Sequence, residues 1–314
     1  MPLMKPTRDG YGDGLLELGA KNKDVVALSA DLTGSTRASW FRDKYPDRFF
    51  EMGVAEQDMF STAAGLALSG KIPFCSTFGC FASGRAWDQL RVSVCYMNLN
   101  VKVGASHGGI SVGEDGATHQ ALEDVSLMRA LPNMTVVVPC DYLEAKKATI
   151  QAAALRGPVY LRFGRENAPI ITKEEDVFKI GKAVKLREGK DVTIIACGIM
   201  VNAALEAAEL LKKENISAEV INMHTIKPID KDAILESAKK TKAVVTAEEH
   251  TIMGGLGSAV SEVLSQNFPV PLRMVGTKDK FGESGKPSEL LKAFGLTFED
   301  IAKKAREVIE LKKS

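Results

Sequence analysis

The sequence lacks most of the features that announce a chemistry at first sight. Its five cysteines (Cys75, Cys80, Cys95, Cys140 and Cys197) are odd in number and scattered. They include no Cys-x-x-Cys pair and no histidine at zinc-ligand spacing, so buried, reduced thiols are expected rather than disulfides or a zinc site. No apolar run approaches membrane-spanning length, and the opening residues lack the apolar core of a secretion signal, so the expected location is the cytoplasm. Charge of one sign is missing too. Lysine and arginine number 41 against 40 acidic residues, for a net charge of +1, with no long like-charged block to suit nucleic acid or a membrane surface. A local anion site for a small acidic or phosphorylated molecule remains compatible with that balance.

What is present is the composition of a soluble globular chain, 45% hydrophobic and 26% charged. At 314 residues two domains are the natural expectation. Buried-strand runs such as Val25 to Ala30, Ile72 to Thr77, Asn100 to Ala105, Thr135 to Val138 and Val159 to Phe163 alternate with helical stretches. These include Asp13 to Lys21, Ala38 to Lys44, Phe81 to Met97, Ala121 to Arg129 and Tyr142 to Leu155. Such alternation predicts an α/β fold whose mainly parallel sheets are covered by helices. The pattern lapses into charged and proline-containing sequence after Gly164. A second α/β series then runs from Val192 to a strongly amphipathic final helix, Phe298 to Leu311, with Ile301, Ala305, Val308 and Ile309 on one stripe. The expected division is a first domain over 1–168, a linker over 169–190 and a second domain over 191–314.

Two glycine motifs look like cofactor sites and read otherwise. Gly12-Asp13-Gly14 opens a predicted helix with no strand before it and no asparagine at suitable distance for a magnesium site. Gly254-Gly255-x-Gly257 lacks the full dinucleotide pattern, and close packing is its simpler role. Three other stretches carry more. Glu56 stands where the run Phe49 to Gly53 hands over to a small-residue helix, a place where free N–H groups and the helix dipole favour a carboxylate. Phe78 and Phe81 flank a strand-to-helix junction and suit either the core or a flat ligand. The glycine-rich loop Ser106 to Gln120 holds two of the chain's four histidines, His107 and His119, with the adjacent acids Glu114 and Asp115. It reads either as a solvated loop or as one that hydrogen-bonds hydroxyls and relays protons.

Together, Gly53-Val54-Ala55-Glu56-Gln57, Ser76-Thr77-Phe78-x-x-Phe81, Gly113-Glu114-Asp115-Gly116-Ala117-Thr118-His119-Gln120, Asp31-Leu32-Thr33-x-Ser35 and Arg162-x-x-Arg165-x-Asn167 resemble transketolase. The resemblance runs over nearly the whole chain, but only to the pyrimidine-binding and C-terminal domains. The pyrophosphate-binding domain, with its metal motif, has no counterpart. The resemblance implies a thiamine diphosphate enzyme that moves a two-carbon ketol unit between sugar phosphates. Glu56 would be catalytic, meeting N1′ of the cofactor's aminopyrimidine. Phe78 and Phe81 would pack around that ring, and Asp31 would make a polar cofactor-side or subunit contact. Asp115 and His119 would read the sugar, and Arg8, Ser35, His107 and Arg165 would hold its phosphate. No metal ligand is expected on this chain; the Mg2+ ligands would lie on a separate N-terminal subunit, in a heterotetramer of two chains of each kind. The β-type subunit of a 2-oxo acid dehydrogenase, a synthase of the deoxyxylulose phosphate type and a non-catalytic thiamine-binding subunit stay open as alternatives. His250, beside Glu248 and Glu249, is expected at a subunit interface or on the surface.

Overall fold

A computed structural model describes residues 3–313. In chain order its strands are β1 (Met4–Pro6), β2 (Val25–Ser29), β3 (Phe49–Glu51), β4 (Ile72–Phe78), β5 (Lys102–Ser106), β6 (Thr135–Val137) and β7 (Val159–Arg162). They continue with β8 (Asn167–Pro169), β9 (Val184–Arg187), β10 (Val192–Ala196), β11 (Ala218–Asn222), β12 (Thr225–Lys227), β13 (Val244–Thr251) and β14 (Leu272–Thr277). The fold is α/β, as expected. A seven-stranded sheet runs β12-β6-β7-β5-β4-β2-β3 and a five-stranded sheet β14-β13-β10-β11-β9. Only the edge strands β12 and β9 are antiparallel to their neighbours in these sheets. Every residue of β2, β5, β10, β11 and β13 is buried. Helices cover both faces, which is why these strands read as apolar runs rather than alternating ones. In the last helix, Phe298–Lys313, the residues Ile301, Ala305 and Val308 are fully buried and Ile309 is half-buried.

Several local expectations change. The first helix begins at Thr7, directly after β1, and places Gly12-Asp13-Gly14 in its interior. Its glycines serve contact: a Cβ on Gly12 would sit 2.6 Å from the Trp40 ring. The helix expected over 81–97 is instead two π-helical turns, Phe81–Arg85 and Leu90–Tyr96, around a short α-helical piece, Trp87–Gln89. The stretch expected as linker supplies β9 to the second sheet. β12, from the second half of the chain, caps the edge of the first sheet against β6. The Gly254-Gly255-x-Gly257 turn is filled by the chain itself. The buried Glu248 carboxylate accepts from the Leu256 and Gly257 N–H groups at 2.7 and 2.8 Å, and a Cβ on Gly255 would strike it. His250 is not at the surface. It is buried, with Nδ1 on the Thr251 carbonyl at 2.7 Å and Nε2 4.0 Å from Asp124, and burial pushes its imidazole down to about 4. All five cysteines are free, and only Cys80 is less than fully buried.

Candidate active site

Neighbouring parallel strands all end on the same rim of a sheet, so the loops that follow them converge there. The loops leaving β2, β3, β4, β5 and β7 carry, in turn, Asp31 and Ser35, Glu56, Phe81, the segment His107 to His119, and Arg165. Arg8 joins them from the first turn of the Thr7–Lys21 helix.

Glu56 is the first residue of the Glu56–Leu68 helix, and its side chain is 1% exposed. Its Oε1 accepts from Thr77 Oγ1 at 3.4 Å and its Oε2 from Arg85 Nη1 at 2.8 Å. Arg85 ends the first π-helical turn and lays its guanidinium 4.4 Å from the centre of the Phe81 ring. The Phe78 and Phe81 rings are nearly parallel, 13° apart with centroids at 5.9 Å. His107 stacks on Phe78 at 3.8 Å, and His119 stands edge-on to Phe78 and Phe81 at 6.1 and 5.4 Å. The phenylalanines therefore form an aromatic wall facing the polar loop, next to a buried carboxylate.

His107 has a left-handed backbone, φ +58°. Its Nε2 faces Arg8 Nη1 at 3.5 Å and its Nδ1 faces Ser106 Oγ at 2.9 Å. Arginine can only donate, so Nε2 is the acceptor and the ring proton sits on Nδ1, toward Ser106. Burial, and then the charge of Arg8, press its pKa down to about 3. The ring is thus neutral and orients Arg8 rather than adding positive charge. Arg8 also donates to the Ser35 carbonyl at 3.0 Å, and its Nε is buried without a partner among the described residues. Burial and the neighbouring Arg37 and Arg165 lower its pKa. Arg165 is held by the Val112 carbonyl at 2.7 Å, with Asp115 at 3.5 Å and Glu114 at 3.7 Å. Three guanidinium groups, Arg8, Arg37 and Arg165, thus lie near one another, with Asp9 on Arg37 and Asp115, Glu114 and Glu166 around Arg165.

Most of the expected residues come together here, with differences. Ser35 offers its carbonyl to this network. Asp31 is exposed, held by its own N–H to Glu51 at 2.8 Å, and no hydrogen bond joins it to Glu56 among the described residues. Arg85 and Arg37 were not anticipated. Arg37 pairs with Asp9 at 2.6 Å, and neither arginine stands in a motif that would mark it. Among the described residues no group of three or more His, Cys, Asp or Glu side chains could hold a metal ion. No helix there is long and apolar enough to cross a membrane.

Two family models match the chain: the transketolase pyrimidine binding domain over residues 4–170 and the transketolase C-terminal domain over residues 181–301. The 6-deoxy-6-sulfo-D-fructose transketolase subunit SqwH of Clostridium sp. is 50% identical over 97% of this chain and 95% of its own length. One of the apulose-4-phosphate transketolase subunits of Phocaeicola vulgatus is 40% identical over 96% and 97%. A solved structure named as a split gene transketolase, in an inactive β4 tetramer, superposes with a TM-score of 0.92 at 50% identity, covering 98% of this chain and 99% of that one. The chain belongs to the transketolase family, whose members depend on thiamine diphosphate. Within it, the chain is a transketolase-type subunit made of the pyrimidine-binding and C-terminal domains.

Proposed function

We propose that this chain is the pyrimidine-side subunit of a two-chain, thiamine diphosphate-dependent transketolase that passes a two-carbon ketol unit from a ketose phosphate to an aldose phosphate in the carbohydrate metabolism of the cytoplasm. The observation that carries the reading is the buried Glu56 carboxylate beside the Phe78–Phe81 wall, with the Arg8, Arg37 and Arg165 cluster on the same rim. The pyrimidine end of the cofactor suits this wall and carboxylate. Arg85 already shows that a flat group bearing N–H donors can lie against Phe81 and bond Glu56. When bound, the cofactor supplies the carbon nucleophile that takes up and releases the ketol unit. Glu56 holds a proton at the pyrimidine N1′, and Phe78 and Phe81 exclude water from that contact. Asp115 and His119 accept from and donate to sugar hydroxyls. Arg8 and Arg165 fix the phosphate, and neutral His107 keeps Arg8 in place. Asp31 serves a contact to the cofactor's far side or to a neighbouring subunit.

No side-chain cluster among the described residues fits a metal ion; in this reading the Mg2+ ligands and the pyrophosphate cradle lie on an N-terminal partner subunit, two of each chain forming a heterotetramer. The working division of this chain is 1–168 and 191–314, with 169–190 joining them and lending β9 to the second sheet. Relatives named for different sugars, sulfofructose and apulose 4-phosphate, support a shared core chemistry within which the choice of sugar varies. The test is reconstitution with the companion chain and a ketol-transfer assay on wild type and Glu56→Gln. The amide keeps the shape but cannot exchange the proton. Turnover is expected to fall by at least about 10²-fold with assembly intact, and turnover near wild type refutes the reading.

A further inference from the structure

The segment from His107 to Gln120 belongs in sequence to the first domain, which holds its start through Phe163 and Val112 through Arg165. Yet groups from the second half of the chain hold it at Gly109, Ser111, Gly113, Gly116 and Gln120. The Ser111 N–H donates to Glu249 Oε1 at 2.6 Å, in the protein interior. Gly109, at φ +96°, passes so close to Glu249 that a Cβ there would lie 2.3 Å from its carboxyl carbon. The buried Gln120 amide donates across the base of the loop to the Ile110 and Gly113 carbonyls at 3.1 and 3.4 Å. It also reaches the second-half Glu283 carbonyl at 2.9 Å. Three acceptors surround its Nε2, so only the nitrogen can point this way. Gly113 and Gly116, both at positive φ, face Pro287 and Ser284. The loop's C-terminal side is tied down as well, by the Thr251 N–H on the Leu122 carbonyl at 2.8 Å.

A glycine-rich loop has no preferred shape of its own, because each glycine adds backbone freedom that must be removed. The shape of this one is supplied from outside. From this geometry we infer that the second domain is the mould of the sugar-reading loop, and that Glu249 and Gln120 are positioning residues for His107, Asp115 and His119. Glu249 acts through the Ser111 N–H and the close pass of Gly109. Gln120 acts by bracing the loop against the 282–287 segment. The assignment of the loop to sugar rests on the function proposed above; the mould itself does not.

The two are separable by experiment. Hydrogen exchange on the full chain compares wild type with Glu249→Ala, Gln120→Met and Glu249→Gln. The first two remove a bond while the third keeps an acceptor oxygen for Ser111. Amides of residues 109–120 are expected to exchange at least about tenfold faster in Glu249→Ala and Gln120→Met, with β2 and β4 unchanged and Glu249→Gln within about threefold of wild type. In the enzyme assembled with its partner, the same two variants should raise KM for the ketose phosphate about tenfold. The thiamine diphosphate Kd should stay within about threefold, and Glu249→Gln should restore KM. Exchange that is unchanged, or that rises equally throughout the chain, overturns the inference. So does a cofactor affinity that falls in step with KM. A wild-type assembly that transfers no ketol unit defeats the functional reading alone, and the exchange data then still decide the mould.

Discussion

Asp124 and Arg162 form the buried ion pair beneath the site, and replacing Asp124 with asparagine tests how much of the rim depends on it. Their side chains are 0% and 6% exposed, with Arg162 Nε on Asp124 Oδ2 at 2.8 Å. Arg162 Nη2 also donates to the Ala121 and Glu249 carbonyls at 2.9 and 3.0 Å, at the base of the loop and on β13. Tyr160 donates its hydroxyl to the same carboxylate at 2.8 Å. Burial alone would raise the Asp124 pKa; the charge and hydrogen bond of Arg162 overcome it, so the carboxyl stays below its usual range. Asparagine preserves the shape and strands the arginine charge. Breaking one side of a buried pair costs about 3–5 kcal/mol. Two carbonyls and the nearby Glu249 still face Arg162, which puts the expected loss at the lower end, ~3 kcal/mol. Urea unfolding in a Trp40→Phe background, followed by Trp87 fluorescence, reads it, since the Trp87 N–H donates at 3.2 Å to the Leu127 carbonyl, on the helix that Asp124 begins. The double variant Asp124→Leu with Arg162→Met, which leaves no lone charge, should lose less than half as much. A single variant within about 1 kcal/mol of wild type, or a double variant no better than the single, refutes the reasoning.

Two further outcomes are expected elsewhere. Arg85 now holds the face of Phe81 and the Glu56 oxygen that the proposed pyrimidine contact would use, and its side chain is 45% exposed, so the contact is weak and displaceable. In the assembled enzyme Arg85→Met should therefore tighten thiamine diphosphate binding by about three- to tenfold, read by calorimetry; weaker binding would show that the arginine supports the cofactor. His224 is buried against Phe178, and burial lowers its pKa to about 4 from 6.5. The neutral ring is the form the fold accepts, so its contribution is complete above pH 6.5 and is lost as pH falls from there toward 4. His224→Gln should shrink the stability difference between pH 7 and pH 5 by ~2 kcal/mol. Parallel unfolding curves for the two proteins would exclude that origin.

How much of this was readable beforehand depends on the range of the forces involved. Strands buried on both faces are apolar runs, so the parallel α/β plan is visible in residue type alone. Glu56 is visible because a helix start is a local event, and Phe78 and His107 because they end or follow a strand on the same rim. The misreadings have a common cause. The first helix is expected only from Asp13 and begins at Thr7, because its early glycines are fixed by the close approach of Trp40 and of the Tyr142 carbonyl, neither of which is a neighbour in sequence. The π-helical turn leaves no periodic trace, and it is this turn that brings Arg85 back to Glu56, 29 residues away. His250, directly after the two acids Glu248 and Glu249, reads as an interface or surface residue. It is buried because β13 is covered on both faces, where Glu248 caps the following helix and Glu249 reaches a loop 138 residues distant. Polarity along the chain predicts exposure only where no partner waits. On this rim the partners come from the other half of the chain, so the residues that set its shape are those whose sequence surroundings say least about them.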